Sequence, residues 1–156
     1  MRTLIGAVLA LTFFLGTAVP AEAQTLRQRA DQVMFGGNGD FMKARSTSPK
    51  AGSDTAFNWS SDDCSVPTAV KFVVPATGVG SLVFSDQCKH HDFGWRNYGN
   101  GIRLSRTAAA KRSIDSHFGS LMQSRWGTWW IRYTGQEVSC RLTAGASQAA
   151  VTVAPW

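Results

Sequence analysis

The side chains best suited to chemistry lie in one run, Cys-Lys-His-His-Asp-Phe-Gly-Trp-Arg-Asn-Tyr, at residues 88–98. As a helix, this run places a cysteine, an imidazole and two aromatic rings on one stripe: Cys88, His91, Trp95 and Tyr98. Asp92 lies about 100° around the helix axis from His91. A neutral imidazole, with an ordinary pKa of about 6.5, can accept a proton from water near neutral pH. A histidine and a neighbouring carboxylate on a cysteine-bearing stripe would be an unusual set for packing alone.

A zinc site on the same run is less consistent with its spacing. His90 and His91 are adjacent, so on a helix their side chains point about 100° apart and do not converge on one ion. The helical zinc-protease pattern, two histidines four residues apart with a Glu between them, is absent from the sequence.

A pair of carboxylates, Asp62 and Asp63, forms a second candidate group directly before Cys64. Carboxylate oxygens are ligands that Ca²⁺ prefers. Serine–aspartate clusters also commonly cap helices or form turns. This pair is therefore consistent both with a cation site and with an ordinary turn.

Asp115 is a third candidate, and it lies on a long predicted helix. Ser105 or Thr107 can cap this helix, whose apolar spacing continues to about Trp126. Asp115 lies at the edge of the apolar face. If this helix packs antiparallel to the one that carries His91, at the usual axis separation of about 8–10 Å, Asp115 can reach His91.

Other helices are predicted at the two ends of the chain. Apolar spacing predicts a helix over residues 25–35, capped by Thr25, and a short one over 40–45. A final helix over 140–155 is also consistent with the composition, although glycine and β-branched residues weaken it. The aromatic segment 127–133 is predicted to belong to the core rather than to a lipid interface.

The connection before the His91 helix is the least regular part. Residues 70–74 have a strand-like composition that Pro75 interrupts, so a small hairpin or an ordered loop would both fit. Ser85 and Asp86 are predicted to cap the helix that follows. The sequence therefore predicts a long apolar loop over residues 65–87.

Residues 1–23 have the features of a secretory signal peptide. A positive end precedes an apolar run from Leu4 to Leu15, and Ala-Glu-Ala follows before the expected cleavage site. The apolar run is shorter than the roughly 20 residues needed to span a bilayer. We expect cleavage after Ala23, a secreted product, and a single domain over residues 24–156.

The charge of the chain favours an anionic partner. The formal net charge is +6 and the sequence pI is about 9.7. No Lys/Arg run of the kind that binds nucleic acid is present. A loose basic cluster near the His91 run would suit a phospholipid surface, or form an ordinary solvated face: Arg96, Arg103, Arg106, Lys111 and Arg112.

The three cysteines predict one disulfide and one remaining thiol in an exported chain. Their spacing alone leaves all three pairings open. A bridge between Cys64 and Cys88 would stabilise the fold by roughly 3 kcal/mol in the chain-entropy model. Cys140 would then be free or paired with another chain.

Three motifs together resemble the secreted microbial phospholipase A2 family, the small calcium-dependent type found in streptomycetes and fungi. They are Trp-Ser-Ser-Asp-Asp-Cys at 59–64, the run at 88–98, and Ser-Ile-Asp-Ser at 113–116. The middle motif is highly specific because many fixed positions agree at once. The resemblance implies a small all-α bundle centred on two antiparallel helices.

The resemblance also implies the role of each site residue. His91 would be the general base, and Asp115 the carboxylate that orients it. The carboxylates of Asp62 and Asp92 and the backbone carbonyl of Asp63 would bind Ca²⁺. Cys64 and Cys88 would form the family's disulfide: it would place the calcium turn beside the catalytic helix.

The implied activity is hydrolysis of the sn-2 ester of a glycerophospholipid. The expected partner is a phospholipid membrane or micelle surface and not nucleic acid, and the protein is expected to act as a monomer. The alternative is a catalytically weak or inactive secreted relative that binds lipid through its positive charge. No Gly-x-Ser-x-Gly nucleophile motif is present, in keeping with attack by water.

Four positions depart from the family pattern. The connection at 65–87 is longer and more apolar, and His90 replaces a common Arg. Asp63 stands where an apolar residue is frequent. Cys140 lacks its expected partner, because Trp126 lies near the position of the second half-cystine.

Overall fold

The computed structural model describes residues 25–63, 79–126 and 137–156, without the side chains of 79–82, 126, 137–141 and 143. Within those ranges the chain is helical and contains no strand. The elements, in order, are α1 (Leu26–Phe35), α2 (Asn38–Ser46), a 3₁₀ turn (Gly52–Ala56), α3 (Val79–Gly94), a π-helical turn (Trp95–Gly99), α4 (Ala108–Trp126) and α5 (Glu137–Val153). The predicted all-α fold is therefore confirmed.

Thr25 caps α1 as predicted. Its hydroxyl accepts a hydrogen bond from the Gln28 N–H at 3.1 Å, and the Gln28 side-chain oxygen accepts one from the Thr25 N–H at 2.9 Å. This reciprocal capping box satisfies two N–H groups that would otherwise lack partners. The short helix predicted over 40–45 is also present as part of α2, which is longer than predicted.

Helices α3 and α4 form the centre of the bundle. Phe84, in the first half of α3, packs with Phe118 and Met122 from the second half of α4. At the opposite end, Phe93 of α3 and Ile114 of α4 belong to a second cluster that also includes residues of α1 and α2. The two helices therefore run antiparallel, as predicted.

Gly94 allows these helices to approach closely. A Cβ atom at this position would lie 2.7 Å from Met34 Sδ and 2.8 Å from Ile114 Cγ2. Either contact is shorter than packed atoms allow, so a side chain here would push α3 away from its neighbours. Gly94 follows His91 by three residues, and the tight packing thus helps to fix where His91 faces α4.

The loop prediction for 65–87 is wrong over residues 79–87, which belong to α3. Ser85 and Asp86 lie inside this helix and do not cap it. Phe84 and Cys88 lie one turn apart and are 1% and 7% exposed, so burial against α4 and α5 extends the helix toward its N-terminus. The strand-like residues 70–74 lie outside the described ranges.

The C-terminal helices begin and end close to their predicted positions. Thr107 Oγ1 accepts a hydrogen bond from the Ala110 N–H at 3.1 Å and caps α4, which ends at Trp126. The predicted final helix is present as α5. The aromatic segment 127–133 is outside the described ranges. Of the helices described, none has both the length and the hydropathy needed to cross a bilayer.

Candidate active site

His91 and Asp115 meet at the centre of the α3–α4 interface. His91 Nε2 lies 3.0 Å from Asp115 Oδ1. The two residues are 7% and 3% exposed. The structure thus brings together the two side chains that the sequence proposed as a pair, although they are 24 residues apart in the chain.

Both oxygens of Asp115 have partners. Trp95 Nε1–H donates to Oδ1 at 3.4 Å, and Lys111 Nζ donates to Oδ2 at 2.6 Å. Burial acts to raise the pKa of Asp115, but hydrogen bonds from His91 and Lys111 outweigh burial and lower it. Asp115 is therefore ionised and fixed at both oxygens.

The His91 ring is enclosed by aromatic side chains. Its centroid lies 4.6 Å from that of Phe118 and 5.7 Å from that of Trp95. Burial lowers the pKa of His91, although the Asp115 carboxylate acts in the opposite direction. The imidazole is therefore neutral near neutral pH, which is the form that can accept a proton.

Asp92, the residue after His91, attaches the 61–63 turn to α3. Its Oδ2 accepts a hydrogen bond from Ser61 Oγ at 2.6 Å and one from the Asp62 N–H at 3.1 Å. Burial, together with the neighbouring Asp62 carboxylate, raises the pKa of Asp92 to about 6, although the Ser61 hydroxyl acts to lower it. Two carboxylates therefore share a small volume beside His91.

The Asp62 and Asp63 side chains lie in different surroundings. Asp62 lines the cleft described below, and its Oδ1 lies 3.4 Å from an Arg96 guanidinium nitrogen. Asp63 has a φ of 53°, and its exposed carboxylate lies 3.5 Å from Lys89 Nζ. The structure thus brings Asp62 and Asp92 together, and it directs the Asp63 carboxylate toward Lys89.

His91 and the carboxylates of Asp62 and Asp92 line one cleft of about 630 Å³. This volume is in the range typical of small-molecule sites. Its wall includes Asn58, Asp62, His91, Asp92, Trp95, Arg96, Asn100, Val151, Ala154 and Pro155. His91 and the two acidic side chains therefore face a common space, closed on one side by the end of α5.

The oxygen atoms at this cleft fit a hard cation such as Ca²⁺. Asp62 and Asp92 supply carboxylates, and the pKa of Asp92 is raised in part by repulsion from its neighbour, as for two carboxylates that share a site. Across the described ranges, no cluster of three or more His, Cys, Asp or Glu side chains is positioned to hold a metal ion. Backbone carbonyls or waters would have to complete such a site.

His90, the second imidazole of the run, belongs to the core. It is fully buried, its Nε2–H donates to the Val33 carbonyl at 3.0 Å, and its ring stacks on Phe41 at 4.1 Å. Burial lowers the pKa of His90 to about 4. The structure therefore distinguishes the two adjacent histidines, because His91 alone of the two lines the cleft.

Cys88 is buried and disulfide-bonded. The side chains of Cys64 and Cys140 are outside the described part of the chain. The pairing of Cys64 with Cys88 therefore stays a prediction.

The residues of the predicted basic cluster lie in different surroundings. Arg103 and Arg106 are exposed, whereas the Lys111 side chain is 12% exposed and turned toward Asp115. Arg112 lines a separate groove that does not include His91 or Asp62.

Sequence reasoning missed Trp95 and Lys111 as partners of Asp115. Lys111 precedes Asp115 by four residues, a spacing that places two helical side chains side by side, so its sequence signal was present. The α5 residues that close the cleft carry no comparable signal, since they are apolar and lie about 60 residues from His91.

Comparison with known proteins agrees with the resemblance seen in the motifs. The family profile described as prokaryotic phospholipase A2 matches residues 30–154. Comparison with curated proteins finds no significant match. The matched range includes His91, Asp115, Asp62 and Asp92 and covers most of the chain. The chain therefore belongs to the prokaryotic phospholipase A2 family and is a phospholipase A2 enzyme.

Proposed function

We propose that this phospholipase A2 is calcium-dependent and hydrolyses the sn-2 ester of glycerophospholipids to a fatty acid and a lysophospholipid. The observation that carries the proposal is the 3.0 Å contact between His91 Nε2 and Asp115 Oδ1, with His91 lining the same cleft as Asp62 and Asp92. A buried imidazole held by a carboxylate, beside acidic oxygens that suit a hard cation, matches the needs of ester hydrolysis by water.

His91 acts as the general base in this proposal. With Nε2–H donated to Asp115, Nδ1 carries the lone pair that accepts a proton from water as the water oxygen attacks the ester carbonyl. The same proton then passes from Nδ1 to the oxygen of the leaving lysophospholipid. The bond between the acyl carbon and this oxygen breaks in the same step, so the hydroxyl from water ends on the fatty acid, the proton ends on the lysophospholipid, and His91 is neutral again.

Asp115 orients the base and stabilises it while it carries the proton. Its carboxylate accepts Nε2–H, which fixes the tautomer and the ring plane, and its negative charge favours the imidazolium. Because Trp95 and Lys111 also donate to Asp115, this carboxylate does not need to reorganise during the reaction.

Asp62, Asp92 and the Asp63 backbone carbonyl are the proposed calcium ligands. The side chains of Asp62 and Asp92 already lie together, and Ser61 supports Asp92 through its hydroxyl. When bound, Ca²⁺ would supply positive charge for the substrate phosphate and for the carbonyl oxygen as negative charge develops. The Asp63 carboxylate has no part in this proposal.

We further propose that the protein is secreted, is monomeric and acts at a phospholipid membrane or micelle surface. The signal-like residues 1–23, the net charge of +6 and the exposed Arg103 and Arg106 support this setting. Attraction of these cations to anionic lipid would increase the local concentration of substrate.

Fatty-acid release from phosphatidylglycerol and phosphatidylcholine vesicles, with calcium and with excess chelator, tests the proposal. The expected result is release of the sn-2 fatty acid that chelator abolishes and added calcium restores. Undiminished release in chelator would remove Asp62 and Asp92 from the metal role. Vesicle binding without any release would instead support the lipid-binding alternative.

A further inference from the structure

Lys111 makes three polar contacts at the back of the active site. Its Nζ lies 2.6 Å from Asp115 Oδ2, 2.6 Å from the Val151 carbonyl oxygen and 3.3 Å from that of Thr152. The Lys111 side chain is only 12% exposed. An ammonium group has three N–H donors, so this site offers each donor an acceptor.

The contacts to α5 have a clear electrostatic reason. The last carbonyls of a helix lack partners within the helix and carry partial negative charge, which favours a cation. The last turn of α5 contains no basic residue of its own. Lys111, from α4, therefore supplies the positive charge at the end of α5.

The end of α5 is also a wall of the cleft. Val151, Ala154 and Pro155 line the cleft, and the Trp156 ring lies 5.6 Å from the Trp95 ring. Trp95 in turn donates to Asp115. One ammonium group thus contacts both the carboxylate that orients His91 and the helix end that shapes the substrate space.

We propose that Lys111 is a positioning residue that couples the end of α5 to the His91–Asp115 pair. Lys111 holds Asp115 Oδ2, so that Asp115 Oδ1 stays in the plane of the His91 ring. Lys111 also keeps the end of α5 against the cleft. This inference rests on the proposed function for its catalytic part, whereas the link between α4 and α5 stands independently of it.

Three variants separate the positioning role from a general effect on folding. Lys111→Met keeps the side-chain length and removes the charge, and Lys111→Arg keeps the charge with a different donor geometry. Lys43→Met, at an exposed position of α2, is the matched control. Circular dichroism at the assay temperature gives the folded fraction of each variant, by which kcat is corrected.

The kinetic experiment uses a short-chain phosphatidylcholine below its critical micelle concentration, with saturating calcium. We expect Lys111→Met to lower the corrected kcat by about 10- to 100-fold with a smaller change in KM, because misplacement of a catalytic group acts chiefly on the chemical step. Lys111→Arg should recover part of this loss, and Lys43→Met should match wild type. An unchanged corrected kcat in Lys111→Met would overturn the catalytic part.

Hydrogen exchange tests the structural link whether or not the assay detects activity. In Lys111→Met, the Ala154 amide, which donates to the Ala150 carbonyl at 3.2 Å, should exchange at least several-fold faster than in wild type. Amides of α1 should be unaffected. Wild-type exchange at Ala154 in this variant would overturn the link itself, whereas a wild-type protein that releases no fatty acid would count against the proposed function.

Discussion

Ser61 donates a 2.6 Å hydrogen bond to Asp92, and this bond attaches the turn at 61–63 to the helix that carries His91. The same oxygen of Asp92 also accepts a hydrogen bond from the Asp62 N–H at 3.1 Å. The turn and the helix are thereby held in one arrangement before any cation arrives. A site prepared in this way needs less ordering when a cation binds.

Substitution of Ser61 by Ala should weaken calcium binding without disabling the base. Loss of a hydrogen bond to a ligating carboxylate typically lowers metal affinity or activity by about 10- to 100-fold. The calcium concentration for half-maximal activity should therefore rise by about 10-fold, with kcat at saturating calcium near that of wild type. Ser120→Ala, which removes an exposed hydroxyl from α4, is the control. An unchanged calcium dependence in Ser61→Ala would be evidence against the proposed ligands.

Substitution of Asp115 by Asn should lower kcat and leave KM within a few-fold of wild type. The amide cannot stabilise the imidazolium, and it can impose the wrong tautomer on His91, so a loss of about 10²- to 10⁴-fold is expected. Steady-state kinetics on a short-chain phospholipid would measure it. A kcat within threefold of wild type would show that Asp115 is not needed to orient the base.

The ion pair between Arg29 and Asp54 should make stability depend on acidic pH. Arg29 donates to both Asp54 oxygens, at 2.7 and 2.8 Å, and these hydrogen bonds lower the pKa of Asp54 below its ordinary value. A carboxyl whose pKa is lower in the folded state stabilises the fold above its unfolded pKa of about 3.9, and this contribution is lost as pH falls through the folded pKa.

Urea unfolding at pH 7 and pH 3 would measure this contribution with Asp54→Asn. The variant should lose about 1–2 kcal/mol of unfolding free energy at pH 7 and clearly less at pH 3. Asp86→Asn is the control. Asp86 is exposed and lies 3.8 Å from Lys89, and such a surface ion pair is expected to contribute little to the free energy of unfolding. Equal losses at the two pH values would contradict the assignment.

Gly99 and Trp156 should be energetically coupled. A Cβ atom on Gly99 would overlap the Trp156 ring, so Gly99→Ala is expected to destabilise the fold by about 1–3 kcal/mol. In a protein that already carries Trp156→Ala, Gly99→Ala should destabilise the fold much less, since the overlap is then absent.

Gly145→Ala is the matched control, because the added Cβ would meet nothing within 4 Å beyond its chain neighbours and the adjacent backbone of α5, and a helix interior favours alanine over glycine by up to about 1 kcal/mol. Thermal or urea unfolding of the variants gives the coupling. Additive effects of the Gly99 and Trp156 substitutions would show that the ring does not occupy this position in solution.

Local sequence patterns predicted the centre of the fold well. Apolar spacing predicts the length of α4 and the position of Asp115 at the border of its buried face. The contact of Asp115 with His91 follows from antiparallel packing of two amphipathic helices. Thr25 is predicted as a cap and is one, and of the two predicted alternatives for α4, Ser105 and Thr107, the structure has Thr107, because a hydroxyl before an apolar helical pattern has a direct physical role at a helix start.

Features that depend on distant contacts were not predicted. Ser85 and Asp86 have the composition of a cap, yet Phe84 is buried against α4 and the helix continues through all three residues. Lys111 pairs with Asp115 at a local spacing, but its bonds to Val151 and Thr152 join residues about 40 positions apart. Neither the start of α3 nor the α5 wall of the cleft can be read from a short window of sequence.

The central claim is that His91, held by Asp115, is the base that hydrolyses phospholipid. The most direct measurement is release of a labelled sn-2 fatty acid from phosphatidylglycerol vesicles in calcium by wild type, His91→Ala and His117→Ala. His117 lies outside the cleft, on a separate groove, and its variant controls for loss of an imidazole. Wild type and His117→Ala should release fatty acid at comparable rates, with His91→Ala lower by at least about 10²-fold. Full release by a folded His91→Ala protein would contradict the mechanism.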